Sequence, residues 1–141
     1  MIEWINKQDA SWEGIFRSSF FHNEENLPEM TIYIEKSSLA DYAEKCVESF
    51  NNLPSSLINE ICEGIIRYAK KGGINEEFKL PELKNVVDIL EYCWFNTVYV
   101  ETPEKKESIR YIVEGEGDWG ESIGFIIENN QLAYVGVYYL E

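Results

Sequence analysis

From Glu29 to Lys36 the chain alternates, with Met30, Ile32 and Ile34 apolar against Thr31, Tyr33 and Glu35. That is the period of a strand with one face in a core. Upstream, WEGIFRSSFF (12–21) is rich in aromatics and also reads as β structure. The polar HNEENLP stretch between them, closing on Pro28, reads as a loop. The period then lengthens. Leu39, Tyr42, Ala43, Cys46, Val47 and Phe50 recur at three and four, the apolar stripe of a helix. Ser38 with Asp41 predicts a capping box at its start. After Pro54, a second helix places Leu57, Ile58, Ile61, Cys62, Ile65, Tyr68 and Ala69 on one face. Lys70, Lys71, Gly72 and Gly73 supply its C-terminal chemistry. A third helix is predicted from Pro81, with Leu83, Val86, Val87, Leu90 and Cys93 facing inward.

Beyond Cys93 the short period returns in four runs: WFNTVYVE, SIRYIVEGEG, SIGFIIE and QLAYVGVYYL. TPEKKE (102–107) separates the first two, and ENNQ (128–131) predicts a hairpin turn because Asn tolerates the left-handed region. Short turns imply an antiparallel meander. The expected fold is α+β: an antiparallel sheet of about five or six strands with about three helices packed on one face. With no linker or repeat, residues 1–141 are expected to form a single domain.

Composition sharpens this picture. The chain is 45% hydrophobic and 14% aromatic, enough for a core. Twelve Lys and Arg against 26 Asp and Glu give a net charge of −14. Such a chain repels nucleic acid and anionic membrane surfaces and attracts basic partners. Cys46, Cys62 and Cys93 fall within apolar patterns without metal-ligand spacing, as expected of buried thiols in a reducing compartment. The N-terminus has no secretory pattern and no run is long enough to span a membrane, so the expected location is cytoplasmic.

Catalytic motifs are missing. The one histidine, His22, lies in the polar FHNEEN loop, and there is no GxSxG, P-loop, GxGxxG between strand and helix, or HExxH. Neither an enzyme nor a cofactor is expected. The stretch that stands out is GEGDWGESIG (115–124). Glu114, Glu116 and Asp118 alternate, so an extended strand projects them to one side, and Glu121 joins them after the turn. The glycines suit a bent strand connection, with Trp119 plugging an edge of the core. From Tyr111 onward there is no Lys or Arg, while the same stretch holds Glu114, Glu116, Asp118, Glu121, Glu128 and Glu141 together with Tyr111, Trp119, Phe125, Tyr134, Tyr138 and Tyr139. Aromatic anchors beside uncompensated carboxylates predict an interface for a basic partner, with Glu114, Glu116, Asp118, Trp119, Glu121 and Tyr138 as contacts. Two other readings stay open. The 114–121 carboxylates suit a divalent metal or carboxylate chemistry, and VGVYYLE suits an edge strand pairing in a homo-oligomer.

From Val86 to the end, VVDILEYC, WFNTVYVE, GDWGESIGFII and QLAYVGVY resemble small bacterial domains found among immunity proteins of polymorphic and contact-dependent toxin systems. Asp118, Trp119, Glu121 and Gly124 match that pattern, whereas Ile123 stands where the related domains carry a histidine. The resemblance implies inhibition by binding: a cognate toxin domain, often a nuclease with a basic substrate surface, met by an acidic inhibitor.

Overall fold

The computed structural model describes residues 2–7, 11–18, 29–70, 82–105 and 107–136. Seven strands form one sheet in chain order: β1 (Glu3–Lys7), β2 (Trp12–Arg17), β3 (Glu29–Ile34), β4 (Cys93–Val100), β5 (Arg110–Gly117), β6 (Ser122–Glu128) and β7 (Gln131–Gly136). Every neighbouring pair is antiparallel except β3 and β4, which run parallel. A parallel pair needs a crossover, and helices α1 (Ala40–Asn51) and α2 (Ser55–Tyr68) lie in it. The α+β class therefore holds, with a larger sheet than the runs predict.

Alternation decides what faces the helices. Phe16, Met30, Ile32, Ile34, Val98, Val113, Phe125 and Ile127 join Ala43, Cys46, Phe50, Leu57, Ile61 and Ile65 in one buried core. The Phe16 ring meets Phe50 edge-on at 6.1 Å, and Phe50 meets Tyr111 at 6.0 Å. Polar contacts fix helix on sheet. The Tyr42 hydroxyl accepts from the Arg110 amide and donates to the Ser108 carbonyl, both at 2.9 Å. At the far edge α2 comes close to β7, for a Cβ on Gly64 would stand 2.7 Å from Val135 Cγ2.

The third helix is corrected. Val86–Glu91 is a six-residue 3-10 helix, and Cys93 opens β4 instead of ending a helix. Val87, counted as inward-facing, is exposed at 37%. The capping box also moves. No side chain caps the start of α1, where Ser37–Leu39 is a 3-10 turn, whereas Asn85 and Asp88 cap one another's backbone reciprocally ahead of Val86. The hairpin turn is where ENNQ places it, with Asn129 (φ 52°) and Asn130 (φ 61°) in the left-handed region. The Asn129 carboxamide oxygen also accepts from the Ile109 amide at 2.8 Å. The HNEENLP loop, Lys71 to Gly73 and Pro81 lie outside the described residues.

All three cysteines are buried and unpaired. Burial pushes each thiol up to about 12, so the reactive thiolate is suppressed at neutral pH. A disulfide-exchange reagent at pH 8 is expected to leave the native protein unmodified and to titrate three thiols once denaturant is added. Rapid labelling of the native protein would show that the packing around Cys46, Cys62 or Cys93 opens readily.

Candidate functional site

Strand register lays the side chains of the face turned away from α1 and α2 into cross-strand rows. One row runs Glu13, Tyr33, Tyr99, Ile112, Ile126, Tyr134 from β2 to β7. The next runs Ile15, Thr31, Thr97, Glu114, Gly124, Gly136. A row of rings and branched side chains, with Ile112 and Ile126 buried at its centre, thus borders a row of one isoleucine, two threonines, one carboxylate and two buried glycines. Tyr33 and Tyr99 are stacked, with centroids 5.6 Å apart and planes 18° from parallel. Both are exposed at 37%, and Tyr134 at 41%. Exposed tyrosines on a sheet face are the large, rotamer-poor side chains that protein interfaces favour.

Glu114 and Glu116 lie on this face, as the alternation predicts; Glu114 is half-buried and Glu116 exposed. The Tyr99 hydroxyl is hydrogen-bonded to the Glu114 carboxylate. Burial first, and then the charge of Glu114, raise the Tyr99 phenol above its ordinary value. Asp118 and Glu121 are exposed in the β5–β6 turn. There the Gly117 amide donates to the Glu121 carbonyl at 3.0 Å and the Asp118 amide to the Tyr92 carbonyl at 2.7 Å. Gly120 adopts φ +87°, a conformation that side chains resist.

Trp119 is 5% exposed and belongs to the core. Its ring lies so close to Gly117 that a Cβ there would stand 2.1 Å from Trp119 Cε2. It is the plug of the strand connection, and from that position it offers no ring to a partner. Tyr111 and Phe125, paired with the carboxylates as interface aromatics, are likewise buried, at 1% and 0%. Alternation explains both: they sit at the helix-facing positions of β5 and β6. Tyr138 lies outside the described residues. The tyrosines that do reach the surface include Tyr33 and Tyr99, which lie outside the acidic segment from Tyr111 onward. Their signal was the polar side of the EMTIYIEK alternation and its counterpart in WFNTVYVE.

Among the described strand residues, Arg17 and Arg110 bring positive charge to this face, at opposite ends of the sheet. Arg110 meets Glu101 at 3.3 Å and Glu128 at 3.9 Å, which leaves the surrounding carboxylates dominant. Among the described residues, no group of three or more His, Cys, Asp or Glu is placed to hold a metal ion, and no helix is long and apolar enough to cross a membrane.

A family model described as a domain of unknown function, DUF6985, matches residues 2–140. No curated protein and no solved structure matches the chain significantly. The likeness of Val86 onward to immunity proteins remains a resemblance, since the family description assigns no activity. Because its match extends through both helices and all seven strands, the chain belongs to the DUF6985 domain family.

Proposed function

We propose that this protein is a cytoplasmic bacterial immunity protein that binds and neutralises a toxin domain, a basic nuclease, through an acidic and aromatic surface. The observation that carries the reading is the placement of Glu114 and Glu116 on a sheet face bearing exposed Tyr33, Tyr99 and Tyr134, next to the exposed Asp118 and Glu121 turn. A net charge of −14 steers such a surface onto a basic cleft. Once docked, the tyrosines exclude water from the contact.

The test is to retain the tagged protein from its host at low salt and identify what elutes as salt rises. A stoichiometric basic partner with nuclease activity that the protein inhibits is the expected result. Combined Glu116→Lys, Asp118→Lys and Glu121→Lys is expected to weaken that complex by at least about tenfold and to flatten its salt dependence. Unchanged affinity would move the interface away from the β5–β6 end of the sheet.

A further inference from the structure

We propose that the cavity beside the β4–β5 loop binds a free α-amino acid with a basic side chain, its carboxylate on Arg110 and Ser108 and its ammonium groups on the surrounding glutamates. The inference goes beyond the toxin reading and uses a different place: Arg110 opens β5, and Glu116 lies six residues along it, about 20 Å away.

The cavity holds about 360 Å³ between the loop after β4, the start of β5 and the end of β6. That is near the small end of the range for ligand pockets, about 300–1,000 Å³. Its walls are fixed in advance. Glu35 accepts from the Thr102 amide at 3.3 Å and from the Thr102 hydroxyl at 3.2 Å, which ties the loop to the end of β3. Ile109 exchanges two hydrogen bonds with Asn129, both at 2.8 Å. Walls held this way lose little freedom on binding.

Two groups in the cavity have bonding capacity to spare. Arg110 makes one side-chain hydrogen bond, to Glu101 at 3.3 Å, and stands 3.9 Å from Glu128, so most of its N–H donors are unspent. Ser108 lines the cavity and is 7% exposed. Its amide donates to the Lys105 carbonyl and its carbonyl accepts from Tyr42, but its hydroxyl has no hydrogen-bond partner among the described residues. A buried hydroxyl left unpaired is costly, and it points to a ligand atom.

Charge selects the ligand. Three carboxylates, Glu101, Glu104 and Glu128, face two cations, Lys105 and Arg110, around the cavity. Glu104 has no ion pair among the described residues. A simple anion is repelled by these carboxylates and by a chain of net charge −14. A simple cation leaves Arg110 and Ser108 idle. A zwitterion engages both sets, its carboxylate taking the guanidinium and the hydroxyl and its ammonium taking Glu104. The excess of carboxylates over cations favours a ligand with a second positive charge.

Calorimetric titration of the whole chain with L-lysine tests the site, and amide NMR shifts locate it. The expected result is one-site binding with shifts centred on Glu101–Lys105, Ser108 and Arg110. L-Glutamate should bind at least about tenfold more weakly, and so should cadaverine, which keeps both amines and lacks the carboxylate. Arg110→Gln should lower the affinity for lysine by about tenfold. Ser108→Ala should lower it by about fivefold with Tm unchanged, since the hydroxyl removed bonds nothing in the fold. No binding of L-lysine or L-arginine, equal binding of cadaverine, shifts confined to Glu114–Glu121, or full affinity in Ser108→Ala would each overturn the proposal. None of these outcomes bears on the toxin reading, which charge reversal at Glu116, Asp118 and Glu121 tests separately.

Discussion

Phe125→Ala is expected to lower the free energy of unfolding by roughly 3–5 kcal/mol. Phe125 is fully buried, and its ring meets Phe95 edge-on at 5.2 Å and 73°. Truncation removes that aromatic contact and leaves a void between sheet and helices. The surrounding strands cannot close it, because β6 is held by ladders on both sides. Guanidinium denaturation checks this: the midpoint should fall with the slope unchanged. Phe125→Leu, which keeps most of the volume, should lose less than half as much. A loss below about 1 kcal/mol for the alanine variant would mean that this part of the core is not packed as described.

Gly115→Ala has the second large expected effect, from the opposite cause. A Cβ at Gly115 would stand 1.7 Å from the Trp94 carbonyl oxygen and 2.7 Å from Phe95 Cα. Both are backbone atoms, so no rotamer change relieves the clash, and β4 and β5 must separate beside the bulge between Phe95 and Thr97. Overpacking of this kind costs about 3 kcal/mol, and Tm should fall by about 10 °C. Gly120→Ala is the control. That position is open, with no atom within 4 Å, but has φ +87°, so alanine should lose only about 1 kcal/mol of conformational energy. Thermal melts of the two variants side by side separate steric from conformational demand. Equal losses would contradict the close approach at Gly115.

These glycines show how far the sequence was legible. GEGDWGESIG announced a tight connection, and Gly120 and the buried Trp119 bear that out. That Gly115 exists to let β4 pass depends on a register that no local pattern encodes. The helices α1 and α2 were readable because each carries a full apolar stripe. Val86–Glu91 was not, because over two turns the i, i+3 period of a 3-10 helix is too short to be told from the start of an α-helical stripe. Met30, Ile32 and Ile34 announced β3 and its buried face. Its parallel partner β4 lies on the far side of both helices, where periodicity carries no information. The candidate surface divides in the same way. Alternation placed Glu114 and Glu116 together, but Tyr33, Tyr99 and Tyr134 come into one row only through the non-local β3–β4 pairing and the registers of three successive hairpins. Tyr111 and Phe125 looked equally available by composition and are inside by parity.

The parallel seam between β3 and β4 has a consequence for how this chain reaches its fold. The strands from β4 to β7 are joined by short local connections, so each of their ladders closes a small loop. Registering Thr31 against Thr97 instead closes the entire helical crossover, an entropic cost that grows with the logarithm of the enclosed length. Non-local pairing of this kind slows folding at a given stability. Until the seam forms, the open edges of β3 and β4 are unpaired ladders, the most adhesive feature an incomplete sheet can present.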